Sequence, residues 1–163
     1  MVNAIDTVGA DQIVRLQRLE REQVVRRPLA DVFEFFARAE NLERITPPWL
    51  SFRVLTPGSV EMGSGTLIDY RLRLHGLPLR WTSRIELWEE KRRFLDEQVR
   101  GPYRFWRHLH EFVPVGRGTY VRDRVQYALP LGRLGDLFGL RLVRRDLERI
   151  FDYRQAAIAR LLG

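Results

Sequence analysis

Residues 104–129 read RFWRHLHEFVPVGRGTYVRDRVQYAL. Val121, Asp123, Val125 and Tyr127 alternate with Arg122, Arg124 and Gln126, the period of two expected of a β-strand with one dry and one wet face. Just upstream, Trp106, His108, His110 and Phe112 alternate with Phe105, Arg107, Leu109 and Glu111. Val115-Gly116-Arg117-Gly118 between the runs has the composition of a tight turn, so the segment predicts an antiparallel hairpin of 104–114 with 119–129. Asp123 then lies among apolar neighbours. If Trp106 and Phe112 mark the inner side of their strand, His108 and His110 also point inward, with Cα atoms about 6.7 Å apart.

The same period extends back to Ser51, broken by turn-like segments at Pro57-Gly58-Ser59, Gly63-Ser64-Gly65, His75-Gly76-Leu77-Pro78, Glu89 to Arg93 and Gly101-Pro102. In 66–74 the apolar face is Ile68, Tyr70, Leu72 and Leu74; in 79–88 it is Leu79, Trp81, Ile85 and Leu87. Strand 94–100 admits two inner sets, Phe94, Asp96 and Gln98 or Leu95, Glu97 and Val99. The first would add Asp96 and Gln98 to the polar group. No helical stretch interrupts these strands, which predicts a meander.

Before the meander, 13–25 reads as a strand. Pro28 then opens a helix in which Leu29, Val32, Phe33 and Phe36 fall on one stripe, and a second short helix covers 39–45 until Thr46-Pro47-Pro48 ends it. After Pro130 and Gly132 the period turns helical, with Val143, Leu147, Ile150, Phe151, Ala157, Ile158 and Leu161 on one side. A helix over 135–162 would be about 40 Å long and is the natural lid for the dry sheet face. The expected class is α+β: a curved antiparallel sheet of about seven strands, two short helices after the first strand and a long C-terminal helix.

The chain has 163 residues, 45% apolar and 11% aromatic, enough for one core and too rich in order-promoting residues for disorder. A single domain over 1–163 is expected, with 1–11 as a flexible lead-in. The absence of Cys removes disulfides, thiolate metal sites and cysteine nucleophiles. The start has neither a basic nor an apolar leader region and no apolar run is long, so a soluble cytoplasmic protein is expected. Net charge is +7, carried by 27 Arg and the single Lys91. These Arg are dispersed, often with an acid nearby, as on a solvated sheet face, and no nucleic-acid motif accompanies them, so no nucleic-acid partner is expected. The basic side of the last helix, Arg144, Arg145 and Arg149, admits a transient membrane-surface contact, though a core helix is the simpler reading.

No Gly-x-Ser-x-Gly, P-loop, Gly-x-Gly-x-x-Gly or His-Glu-x-x-His motif is present. The chemistry-bearing candidates are therefore the inward polar residues Asp96, Gln98, His108, His110 and Asp123. They can form a satisfied structural network, the polar floor of a ligand pocket, or an acid–base group in which Asp123 or Asp96 orients an imidazole. His-x-His with a carboxylate also suits zinc or iron, but nothing in the sequence fixes a third ligand, so neither metal nor cofactor is expected. His75, beside Gly76 at a hairpin, reads as a surface residue. Arg154 falls on the apolar stripe of the last helix, where it either pairs with a sheet carboxylate or extends outward along its stem.

The segments Phe94-Leu-Asp96-Glu-Gln98-Val-Arg-Gly101-Pro102, Trp106-Arg-His108-Leu-His110-Glu-Phe112 and Asp123 to Tyr127, with Pro130 and Gly132, carry a family resemblance. In this order of elements, over about residues 13–162, the chain resembles the START-like (SRPBCC) superfamily of polyketide cyclases, lipid-transfer proteins and the birch-pollen allergen. More narrowly it looks like a bacterial single-domain branch labelled cell-division-inhibitor-like. The resemblance implies a helix-grip fold with a hydrophobic cavity between sheet and helix, suited to a lipid, quinone, sterol-like or polyketide-like molecule. It carries over no catalytic residue.

The leading reading is a non-enzymatic binding protein for such a hydrophobic small molecule. Its cavity would be lined by Tyr70, Trp81, Trp106, Phe112, Val125, Tyr127 and Phe151, with Asp96, Gln98, His108, His110, Asp123 and Arg154 as polar groups. The alternative is a cyclase, aromatase or dehydratase-type enzyme with His108, His110 and Asp123 as acid–base candidates. A gate is expected at 47–65 and near Gly132 to Gly139, where Gly and Pro concentrate. Oligomeric state is not legible in the sequence.

Overall fold

Residues 15–58, 60–130 and 132–163 are described by the structure, a computed structural model, with the side chains of 132–138 outside the description. The lead-in expected at 1–11, the start of the first strand at Ile13 and the side chains of most of the 132–139 gate thus fall outside the described residues. Strand β1 (Gln17–Val25) leads into helix α1 (Leu29–Phe36), helix α2 (Asn41–Ile45) and a 3-10 turn at Pro48–Leu50. Then come β2 (Arg53–Val54), β3 (Leu67–Leu74), β4 (Leu77–Glu89), β5 (Arg93–Arg100), β6 (Phe105–Val115), β7 (Gly118–Ala128) and α3 (Gly132–Leu162). The strands form one antiparallel sheet ordered β1-β7-β6-β5-β4-β3-β2.

Local chemistry explains the elements. Pro28, with φ −56°, is the residue before α1, and its carbonyl accepts the Val32 N–H at 3.2 Å. Asp31 sits in the positive first turn, while Val32, Phe33, Phe35 and Phe36 are buried. The β3–β4 hairpin turns on His75 (φ 51°) and Gly76 (φ 81°), the pair of left-handed residues that a twist-matched two-residue turn needs. His75 is exposed, as expected, and also pairs with Asp146 of α3 at 2.7 Å. Helix α3 is further tied to β1 by Arg21–Asp152 at 2.9 Å and by the Gln155 amide donating to the Glu22 carbonyl at 2.9 Å.

One facing assignment in β4 is corrected. Ile85 stands opposite Asp96, but Leu87 stands opposite Leu95, so a β-bulge at Glu86 reverses the alternation. Trp88 therefore takes the inner face in place of Leu87, and its ring packs on Phe33 (5.1 Å) and Phe94 (5.4 Å). A second irregularity pairs Thr82 with Arg100 and Ser83 with Gln98, which skips Val99 and leaves it exposed.

The dry face carries two apolar clusters. One joins α1 to Ile68, Ile85, Phe94, Phe112, Val121 and Ile158. The other joins Leu19, Trp81, Trp106, Val125, Tyr127 and Leu129 to Leu147 and Phe151 of α3. Burying side chains of this size stabilises by about 1.5–3 kcal/mol each. No helix among the described residues is long and apolar enough to cross a membrane.

Candidate functional site

At the seam between the two apolar clusters lie four titratable side chains. Strand register places them: Asp96 of β5 is opposite His108 of β6, and His110 of β6 is opposite Asp123 of β7. Of the two inner sets that 94–100 admitted, the structure adopts Phe94 and Asp96, since Phe94 is buried and its ring stacks on His110 at 4.2 Å. The imidazoles lie 3.7 Å apart, ring centre to ring centre, and His108 meets Phe151 of α3 at 5.3 Å. A column of rings, Phe94, His110, His108, Phe151, thus runs from sheet to helix.

The two carboxylates bracket this column. Asp123 Oδ1 is 2.9 Å from His108 Nε2 and 2.8 Å from His110 Nδ1; Asp96 Oδ2 is 3.2 Å from His110 Nε2 and 3.7 Å from His108 Nδ1. His108, His110 and Asp123 are buried to 4% exposure or less, so their ionisation is set by one another. Burial alone would raise Asp123, but the hydrogen bond from His108 and the adjoining His110 imidazole hold it far below the ordinary carboxylate range. Asp96 is lowered too, burial being outweighed by the His110 hydrogen bond and by the charges of the histidines and Arg154. Burial and the charge of His110 push His108 down to about 4. Burial would also lower His110, yet the adjoining Asp123 carboxylate and the hydrogen bond to Asp96 raise it. Between two carboxylates, the neutral form is thus favoured at His108 and the charged form at His110.

Arg154 supplies a compensating charge, in a way that corrects the expected ion pair. Among the described residues it forms no salt bridge and does not extend outward. Its guanidinium lies over the Phe151 ring at 5.2 Å and its buried Nε has no hydrogen-bond partner. It acts on Asp96 through space. Gln98 also stands apart from the cluster. Its amide donates to the Tyr103 carbonyl at 2.7 Å and accepts the Tyr103 N–H at 3.2 Å, fastening the β5–β6 turn. Gly101 leaves room for this amide, since a Cβ there would stand 2.2 Å from Gln98 Oε1 and push it aside.

Of the remaining candidate residues, Tyr70 lines a cavity of about 40 Å³ together with Asp96, His110, Ser83, Phe36 and Ile85. The Tyr70 hydroxyl donates to Ser83 Oγ, which also accepts the Trp81 indole N–H at 3.1 Å. Burial and the Asp96 charge raise Tyr70, so it stays protonated. Trp81, Trp106, Val125, Tyr127 and Phe151 pack against one another in the α3 cluster, and Phe112 in the α1 cluster. A wider groove of about 630 Å³ is walled by Pro47, Pro48, Phe52, Leu72, Pro78 and Tyr153, with Arg53, Arg71 and Arg73 at its rim. None of these residues was singled out from the sequence as lining a site. Its one signal was the Pro-rich break at 47–48, at the start of the expected 47–65 gate.

The model of the family described as polyketide cyclase / dehydrase and lipid transport matches residues 25–152. No curated protein sequence matches the chain. Among solved structures, a protein of Thermus thermophilus is similar at 21% identity and a TM-score of 0.66, over 88% of this chain and 95% of that one. The Zhui aromatase/cyclase of a Streptomyces species is similar at 18% identity and 0.65, over 90% and 91%. A norcoclaurine synthase point mutant from Thalictrum is similar at 13% identity and 0.69, over 93% and 97%. These likenesses show the helix-grip fold. The family model, spanning most of the chain with the inward polar cluster inside it, shows that the chain belongs to the polyketide cyclase / dehydrase and lipid transport family.

Proposed function

We propose that the protein binds a hydrophobic small molecule, of lipid, quinone, sterol-like or polyketide-like character, between the sheet and α3. The observation that carries this reading is the buried Asp96–His108–His110–Asp123 cluster beside a small cavity. Buried ion pairs contribute little net stability compared with a well-packed apolar core, so a group this costly on a dry face points to a ligand's polar end. The 40 Å³ cavity has room for a water or a small polar group. The groove of about 630 Å³ falls in the size range of small-molecule sites and takes the ligand's body. Phe52 on the groove wall and Tyr70 on the cavity wall touch ring to ring at 5.1 Å, and movement of that pair joins the two spaces. Trp81, Trp106, Phe112, Val125, Tyr127 and Phe151 form the apolar wall behind the cluster.

Native mass spectrometry of protein purified gently from its own host, followed by organic extraction, tests the reading. A stoichiometric hydrophobic adduct is expected. Protein that carries nothing and takes up none of a panel of fatty acids, quinones and sterols overturns it.

One observation favours a second reading, an enzyme of cyclase, aromatase or dehydratase type. An imidazole whose surroundings favour the neutral form, His108, lies 3.7 Å from one whose carboxylates favour the charged form, His110, which sets a base beside an acid. The two readings separate in His108→Ala. A carrier changes only in affinity, whereas an enzyme acting on a model poly-β-ketone thioester loses turnover and still binds.

A further inference from the structure

We infer that Asp96, His108 and His110 form a site for one divalent transition-metal ion of the zinc–iron class, with Asp123 as the carboxylate that orients His108. The inference does not rest on the hydrophobic-ligand reading. The sequence left the third ligand unfixed, and the sheet register supplies it by setting Asp96 opposite His108. One ligand atom from each of the three residues lies within 4.8 Å of the others.

The two edges of the paired imidazoles differ. On the Asp123 edge, His108 Nε2 is hydrogen-bonded to Asp123 Oδ1 at 2.9 Å and His110 Nδ1 lies 2.8 Å from that oxygen out of hydrogen-bond alignment, both closer than two ligand atoms on one tetrahedral ion. On the Asp96 edge, His110 Nε2 makes a long hydrogen bond to Asp96 Oδ2 at 3.2 Å, and His108 Nδ1 stands 3.7 Å from the same oxygen, beyond hydrogen-bond reach. These two distances bracket the separation of roughly 3.3–3.4 Å between ligand atoms that each stand ~2.0–2.1 Å from a tetrahedral ion. Proton placement agrees. With the His108 Nε2 hydrogen directed to Asp123 Oδ1, the lone pair of His108 Nδ1 faces Asp96, and release of the proton shared by His110 Nε2 and Asp96 frees a second lone pair there. A buried carboxylate behind a ligating imidazole is the usual outer partner of a metal-binding histidine, the place that Asp123 takes behind His108.

Charge and space agree as well. Asp96 and Asp123 together cancel a dication, and Arg154, whose charge reaches Asp96, leaves a single positive excess. That excess favours hydroxide or an anionic group as a further ligand. The 40 Å³ cavity beside Asp96 and His110, bordered by Tyr70 and Ser83, leaves room for it, as in metal sites that keep an open position. Two imidazoles and a carboxylate, with no thiolate in the chain, suit zinc or ferrous iron rather than cuprous copper.

The chain's 3 histidines make the test sharp, because His75 lies away from the cluster at the β3–β4 turn. Chelator-treated wild-type protein is titrated with Co²⁺ and followed by visible absorption and by histidine-ring NMR. Saturation at one ion per chain is expected, with a four- or five-coordinate Co²⁺ band and strong shifts of the His108 and His110 resonances but not of His75. Binding is expected to disappear in His110→Ala and to weaken about 10–100-fold in Asp123→Asn at unchanged stoichiometry. The absence of saturable binding, shifts confined to His75, or full binding in a folded His110→Ala variant overturns the site. Unchanged affinity in Asp123→Asn overturns the role of Asp123. The wild-type measurements decide the main point whether or not a variant folds.

Discussion

The two faces of β4–β7 carry the same kind of pair, a carboxylate beside a base on neighbouring strands, in opposite surroundings. Outside, Arg107 pairs with Glu86, Arg84 with Glu97 and Arg124 with Glu111, all with appreciable solvent access. Inside, His108 and His110 pair with Asp123, all three at a few per cent exposure, and with Asp96, whose side chain is 17% exposed. Water screens and replaces the outer partners, so any one of them is dispensable. On the inner face each member is the other's solvent, and removing one strands the rest.

The largest expected effect comes from breaking the inner set. Asp123→Ala takes the acceptor from the buried His108 Nε2 and the counter-charge that faces both imidazoles, at a cost of about 3–5 kcal/mol. Urea denaturation of chelator-treated protein measures it, and a loss below 1 kcal/mol would mean that water reaches the cluster freely.

The second effect is a pH dependence that only the inner face can produce. With a folded-state pKa of about 4 against roughly 6.5 unfolded, His108 binds fewer protons in the folded state between those values. Its contribution to stability is therefore complete above pH ~6.5, declines as pH falls and levels off near 4. At about 1.4 kcal/mol per pH unit the total is roughly 3 kcal/mol. His110, with a raised pKa, keeps its proton in both states through this window, and its own contribution fades only on the alkaline side. His108→Asn should flatten the stability curve between pH 6.5 and 4. A flat wild-type curve would show that His108 is protonated when folded.

These two faces were legible in the sequence to different depths. The alternation of Val121 to Tyr127 against Arg122 to Gln126 was enough to place Asp123 inside, because a strand offers only two faces. Residues 94–100 stayed ambiguous because both faces offer a carboxylate and an apolar residue; only pairing with β6 resolves them. The bulge at Glu86 leaves no signature in residue type, so Trp88 and Leu87 exchange faces unannounced. Gln98 and Arg154 have the right facing and different partners, since facing says nothing about whether a nearby backbone carbonyl or a ring competes for a long side chain. The groove escaped notice because it depends on where a sheet edge is left uncovered. Strand β2 pairs only Arg53 and Val54 with β3, so Leu72 and Arg73 lie beyond its cover and form groove wall.

The smallest effect is expected on the outer face and serves as the control for the other two. Arg107 pairs with Glu86 and also lies 3.9 Å from Glu97, which in turn pairs with Arg84, so a ladder of alternating charges crosses three strands. If connectivity alone gave such a ladder strength, Arg107→Ala would cost as much as an inner-face substitution. Side-chain exposures of 36% for Arg107 and 37% for Glu86 argue otherwise, because water can take either partner's place. The expected loss is under about 1 kcal/mol, shrinking further as salt is raised. A double-mutant cycle with Glu86→Gln at low and high salt isolates the pair. A coupling above 2 kcal/mol that persists in high salt would mean that the ladder behaves as a buried network, and the contrast between the faces would then rest on geometry rather than on water.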